Sequence, residues 1–177
     1  PTVTSFADWV VVSAPDRVRM CTLQKLGDAA MEIKRDVSLR DRDVDSLTVV
    51  VNHGKTPVVL RWFAHPFFPV RERLCWFSRD VSMPDNPAFE VTGGRELHRR
   101  ADHAWEHGFY QPLDMSGEEP VTVEQFHPLV GCVRVTCDFP VASMPVWGNA
   151  RTFSFEPYFE AVLAPDERAS WGMRYGF

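Results

Sequence analysis

Along much of this chain apolar and polar residues alternate one for one, the period of a strand with one covered face. Over residues 31–39, Met31, Ile33, Val37 and Leu39 fall on one side, and Glu32, Lys34, Asp36 and Ser38 on the other. Arg35 interrupts the apolar side, which predicts a bulge or a buried salt bridge at that point. Residues 131–139 repeat the pattern, with Val133, Val135, Cys137 and Phe139 opposite Cys132, Arg134, Thr136 and Asp138. Trp171, Met173, Tyr175 and Phe177 share one face of a closing strand. Shorter apolar runs at 9–12, 18–23, 47–52, 58–65, 74–77, 88–91 and 121–126 read as further strands, bounded by turn-forming clusters such as Pro15-Asp16 and the loop at 84–87. The strands at 31–39, 47–52 and 58–65 follow one another through short turns, which predicts an antiparallel meander. Residues 95–107 form the one segment that reads as helical. Short strands at regular spacing and 14 prolines predict an all-β, mostly antiparallel sandwich, in a single domain spanning 1–177.

Composition narrows the class. At 177 residues, 45% hydrophobic and 12% aromatic, the chain can bury a core and is not disordered. A net charge of -5 argues against nucleic acid or anionic lipid as its main partner. No apolar run approaches the roughly 18 to 20 residues of a membrane span, so the reading is a soluble, cytoplasmic protein. The four cysteines, Cys21, Cys75, Cys132 and Cys137, show neither a CxxC pair nor zinc-ligand spacing. Cys132 and Cys137 lie on opposite faces of one strand, so reduced, mostly buried thiols are expected.

Two stretches carry candidate chemistry. In RTFSFEPYFEAVLAPDE, residues 151–167, Phe153 and Phe155 point to one side while Thr152, Ser154 and Glu156 point to the other. Glu156 ends its strand directly before Pro157, where a sheet face opens to a cleft, and Tyr158 and Phe159 supply aromatic walls. Glu156 there is either a solvated strand-end carboxylate or a general base beside aromatics. His65 ends the strand 58–65 with Arg61 and Phe63 on its own face, and Pro66 forbids further pairing ahead of Phe67 and Phe68. An imidazole so placed is either a hydrogen-bonded structural group or a proton shuttle near neutral pH. His98, His103 and His107 include an i,i+4 pair, which reads as a solvated basic segment rather than a metal site; no metal and no cofactor is expected. No Gly-rich phosphate loop and no G-x-S-x-G elbow is present.

The block NHGKTPVVLRWFAHPFF, residues 52–68, resembles the N-x-G-x-x-P…HP-[FY]-F pattern of the galactose mutarotase-like (aldose 1-epimerase) superfamily. MPVWGNARTFSFEPYFEAVLAPDE, residues 144–167, resembles that family's C-terminal block, and the closing SWGMRYGF its last aromatic strand. The resemblance implies an antiparallel β-supersandwich and interconversion of the α and β anomers of a free or phosphorylated aldose. It implies Glu156 as base, His65 as acid, Trp147 stacking on the sugar, and Arg61 or Arg71 binding hydroxyls or a phosphate, with Tyr158 as an aromatic wall. The family's hydroxyl-gripping Asp has no clear counterpart; Asp102 or Asp114 stands in for it. Asp166 occupies a place where the family often has Gly. Family members are longer, with N-terminal strands and a second active-site histidine that have no counterpart here. A second copy of the chain or an N-terminal segment is therefore expected to complete the sheet. The alternatives to an enzyme are a non-catalytic carbohydrate-binding sandwich of the same fold, and a sandwich whose groove faces a protein partner.

Overall fold

The computed structural model describes residues 7–115, 117 and 119–177. The chain runs through β1 (Val10–Ala14), β2 (Arg17–Leu26), β3 (Ala29–Arg40), β4 (Asp43–Asn52), β5 (Val58–Phe63), β6 (Phe68–Pro69), β7 (Arg73–Phe77), β8 (Val81–Ser82), β9 (Phe89–Thr92) and β10 (Glu96–Arg99). After a 3₁₀ turn at Trp105–His107 come β11 (Phe109–Met115), β12 (Val121–His127), β13 (Gly131–Cys137), β14 (Met144–Gly148), β15 (Thr152–Phe155), β16 (Tyr158–Leu163) and β17 (Arg168–Gly176). All-β architecture with antiparallel pairing is what the alternation predicts. The chain folds as two compact units, residues up to 60 with 160–174, and 61–159 with 175–177. The boundaries fall inside β5, β16 and β17, so no linker marks them in the sequence. Among the described residues no helix is long and apolar enough to cross a membrane.

The first unit is a sheet in the order β1-β2-β3-β4-β17. Its hairpins close through two-residue turns in which Gly27 and Asp41 take φ of 57° and 52°, the left-handed conformation that matches strand twist. Pairing of β3 with β2 and β4 runs unbroken through Arg35. No bulge forms, and the Arg35 Nε donates to the buried Ser46 hydroxyl at 3.1 Å. β1 ends the order and leaves Val10, Val11 and Val12 exposed. The meander holds from β1 to β4 and then stops, because β4 is followed in the sheet by β17 while β5 pairs with β16.

The second unit has two layers. One carries the order β13-β12-β7-β10-β9, the other β6-β15-β14-β11-β8. Between them lie Phe77, Leu97, Val123, Val135, Met144, Val146, Phe153 and Phe155, all fully or almost fully buried. Phe89 of β9 meets Phe109 of β11 edge-on across this core. The predicted helix at 95–107 does not form. Gly93 and Gly94 take left-handed φ and turn β9 back on β10, which pairs with β9 and β7 and buries Leu97. Trp105 then anchors the 3₁₀ turn, its Nε1 donating to the Arg100 carbonyl at 3.2 Å. A hairpin that buries Leu97 in the sheet outweighs the helix propensity of a few charged residues.

Candidate active site

The site is built on the outer face of the β11–β14–β15 sheet in the second unit. Register places Tyr110 of β11 opposite Trp147 of β14, and Trp147 opposite Ser154 of β15. Directly opposed residues share a face, so this row lies on one side of the sheet, while Gln111, Leu113, Val146, Phe153 and Phe155 fill the other. Glu156 follows Ser154 by two residues and belongs to the same outer face. Its backbone N–H donates to the Pro145 carbonyl at 2.8 Å, which fixes the carboxylate just beyond the strand end. The hairpin that aligns β14 with β15 is closed by Asn149, whose side-chain oxygen accepts from the N–H groups of Arg151 and Thr152 at 2.8 and 2.9 Å.

His65 reaches this face from the segment after β5. Its Nε2 stands 3.1 Å from Oε1 of Glu156. The two partners differ sharply in exposure: the His65 side chain is 39% exposed and that of Glu156 only 7%. Glu156 is therefore not the solvated strand-end carboxylate that its residue type alone favours. Burial raises its carboxyl pKa above the ordinary value, and the positive charge of His65 opposes that rise. A carboxylate held between these two influences, in contact with an imidazole open to solvent, has the geometry for passing a proton between the two groups.

Aromatic rings wall the pair. The His65 ring lies 4.2 Å from Phe67 and meets Trp147 edge-on at 6.3 Å; Phe67 also meets Trp147 edge-on. On the other side Phe63 lies 6.0 Å from His65 and stacks on Tyr158 at 4.7 Å. The Arg61 guanidinium sits 4.5 Å over the Tyr158 ring. Of the residues singled out in the sequence, His65, Glu156, Trp147, Tyr158 and Arg61 are thus brought together. Arg71 and Asp102 are not: Pro69 pairs with Thr152 at the start of β15, so the chain to the exposed Arg71 runs away from Glu156 at that strand's other end. Asp102 lines a separate groove with Asp85, Asn86, Arg100 and His103. Asp114 pairs with Ser82 at the far end of β11.

Tyr110 is the site residue that sequence reasoning missed. Register sets it opposite Trp147 on the outer face, and burial raises its hydroxyl pKa, with Tyr158 and Glu156 pushing the same way and the charge of Arg61 opposing. Its only signal in the sequence is the alternation of 109–113, which turns it away from the core. His98 lies in β10, His103 in the turn that follows and His107 in the 3₁₀ turn, so no helix aligns them. Among the described residues no group of three or more His, Cys, Asp or Glu could hold a metal ion.

No protein-family model and no curated protein sequence matches the chain. Solved structures do. A galactose mutarotase-related enzyme from Lactobacillus acidophilus superposes with a TM-score of 0.66 at 12% identity, over 96% of this chain and 71% of that one. An Escherichia coli K12 protein provisionally named an aldose 1-epimerase gives 0.65 at 14% identity, over 96% and 68%. A galactose mutarotase-like protein from Lactobacillus casei gives 0.61 at 12%, over 96% and 72%. The chain has the galactose mutarotase-like fold, and it spans about seven-tenths of the length of these three structures.

Proposed function

We propose that this chain interconverts the α and β anomers of an aldose, with Glu156 and His65 as the proton-transfer pair. The observation that carries the reading is the 3.1 Å contact between His65 Nε2 and the buried Glu156 carboxylate inside an aromatic-walled recess. The fold shared with mutarotase-related proteins supports it, and a fold alone does not fix an activity.

Anomer exchange needs one proton removed and one supplied. Ionised Glu156 takes the proton of the anomeric hydroxyl. The electron pair left on that oxygen forms the carbonyl as the bond from the anomeric carbon to the ring oxygen breaks. The imidazolium of His65 protonates the ring oxygen, giving the open-chain aldehyde. Rotation about the bond between the first two carbons presents the opposite carbonyl face, and reversal of both transfers closes the ring as the other anomer. Each cycle returns both groups to their starting protonation. In the resting site the pair meets through Oε1, so Oε2 is the oxygen that receives the anomeric proton. Trp147 and Tyr158 offer flat apolar faces to the sugar's C–H groups, and Arg61 offers fixed N–H donors to its hydroxyls.

The test is the decay of optical rotation of freshly dissolved α-glucose and α-galactose. The protein is expected to accelerate it, and Glu156→Gln and His65→Asn each to lower kcat by about 10²-fold or more. Sugar binding without acceleration would replace the enzyme by a carbohydrate-binding sandwich. Neither binding nor acceleration, with free or phosphorylated sugars, would overturn the sugar reading altogether.

A further inference from the structure

A strand that ends a sheet presents a row of unpaired main-chain groups, and folded proteins protect such edges by shortness, charge or a bulge. Most edges here are protected in this way. β6 and β8 are two residues long and β9 is four, while β5 and β16 carry Arg61 and Glu160 in mid-strand. β1 has none of these protections. It reads VVVSA, bears no charge, and pairs with β2 residue for residue without a bulge. Val10, Val11 and Val12 leave 70%, 56% and 62% of their surface in solvent. The edge also runs past the strand itself: the Asp8 carbonyl accepts from the Thr22 hydroxyl at 2.7 Å, which holds residues 8 and 9 alongside β2.

Alternation shows what this edge offers. In an antiparallel ladder every second residue turns its N–H and C=O away from the strand it pairs with. A two-residue turn sets Ala14 against Arg17, so the residues that face outward are Ser13, Val11 and Trp9. Among the described residues no strand meets that side of β1. A row of alternating donors and acceptors is satisfied by another extended strand. The side chains specify that strand further. Val10 and Val12 lie on one face, where with Leu47 and Val49 they line an apolar groove of about 360 Å³, and Val11 lies on the other. The incoming strand must therefore be apolar on both faces and uncharged along its middle.

β1 of a second copy meets these requirements. A two-fold axis at Val11 sets Val11 against Val11, and Trp9 of each copy against Ser13 of the other, so every outward-facing residue finds a partner. Val10 of each copy then faces Val12 of the other, a β-branched cross-strand pair. Charge agrees with the same register. Asp8 of each copy falls opposite Ala14 of the other, whose neighbour in β2 is Arg17, so opposite charges flank the junction at both ends across a small side chain. An axis at Val12 instead would oppose Asp8 to Asp16, and Trp9 to Pro15, which has no N–H.

We infer that two copies of this chain join edge to edge through β1, antiparallel about a two-fold axis at Val11, and form one continuous sheet. The inference is independent of the anomer-exchange reading. A single strand pair buries less than the roughly 1,600 Å² of a standard interface, so the dimer is concentration-dependent.

Sedimentation velocity of the full chain from about 5 to about 500 μM reads the association directly. The mean mass is expected to climb from one chain towards two. Val11→Lys and Val11→Glu each place like charges face to face on the axis and should stay at one chain mass throughout. Mixed in equal amounts, the two variants should associate again, because Lys then meets Glu, and the mixture should weaken with added salt. Val11→Thr keeps a neutral β-branched residue and should associate as the wild type does. A wild type that stays monomeric at every concentration overturns the inference and leaves the edge to a different strand. Association retained in both charged variants overturns it too, since the copies would then meet elsewhere. Loss in both without recovery on mixing, with far-UV circular dichroism showing both variants folded, overturns the two-fold pairing at Val11.

Discussion

Gly108 lies against the indole of Trp147, so closely that a β-carbon at residue 108 would stand 3.0 Å from Cζ2 and 3.2 Å from Cε2. Its backbone, at φ 73° and ψ 165°, occupies a region that essentially only glycine enters. Two independent constraints therefore fall on one residue, which seats the ring that faces His65. Gly108→Ala is predicted to cost about 2 to 4 kcal/mol in urea unfolding. In the folded fraction it should also weaken sugar binding by displacing Trp147, read from tryptophan fluorescence. Wild-type stability with unchanged fluorescence would show that Trp147 is not seated in this way.

Asn52 is fully buried and braces the first unit through its side chain. Its Nδ2 donates to the carbonyls of Thr56 and Leu163 at 2.9 and 3.0 Å, while its Oδ1 accepts from the Gly54 N–H at 2.9 Å. Asn52→Ala leaves these three backbone groups without their partner and is predicted to cost about 2 to 4 kcal/mol. Asn52→Asp should cost more at neutral pH, because it removes both donors and buries a charge. Guanidinium unfolding of the two variants against wild type checks the order.

These two sites show what a sequence discloses and what it does not. Asn52 and Gly54 stand out as a short motif because the Gly54 N–H bonds the Asn52 side chain two residues back, but the rest of their constraint is distant: Asn52 also holds the Leu163 carbonyl, and a β-carbon on Gly54 would meet the Asp28 carbonyl at 2.7 Å. Asp166, where the resembled family often has glycine, takes φ 63°, a left-handed conformation that glycine adopts freely and Asp tolerates. Strand alternation likewise exposes the inward faces, and Glu156-Pro157 and His65-Pro66 advertise strand ends. Pairing partners are a different matter. Nothing within β5 says that it leaves the meander for β16, because that choice is made by contacts far along the chain. Arg71 and Asp102 attract attention by sequence neighbourhood and lie elsewhere, while Tyr110 becomes visible only once Trp147 is set opposite it. Residues 95–107 mislead because charged residues at helical spacing conceal Leu97 and Trp105, both committed to the core.

The four thiols should separate by reactivity. Cys75 and Cys137 are buried; burial pushes the Cys75 thiol well above its ordinary value and that of Cys137 up to about 12. Cys132 is exposed, and Cys21 is half-buried with its thiol 3.6 Å from Glu32 Oε1. Since the thiolate is the nucleophile, iodoacetamide on the native protein should modify Cys132 first and Cys21 more slowly. Cys75 and Cys137 should react only after denaturant is added, as peptide mass spectrometry can resolve. Native labelling of Cys75 or Cys137 at the rate of Cys132 would contradict their burial.

Glu156 gives the prediction with a definite sign. Burial raises its pKa in the folded protein, and unfolding returns it to the ordinary value. Between those two values the folded state binds more protons than the unfolded, so stability falls as pH climbs through the window; below it the contribution is fully retained. Glu156→Gln removes this loss, and its stability relative to wild type should therefore increase from acid to neutral pH. If Glu156 is the base, the acid limb of kcat/KM must lie above the ordinary carboxylate range, because proton abstraction requires the ionised form. His65 works against the rise through its charge, so His65→Gln should move the Glu156 carboxyl still higher. Titration of the Glu156 side-chain carbon by NMR in wild type and His65→Gln measures both shifts directly. A wild-type value at or below that of an exposed glutamate would mean that the carboxylate is hydrated in solution. A downward move in His65→Gln would mean that the pair does not meet as charges, and the assignment of acid and base would have to be given up.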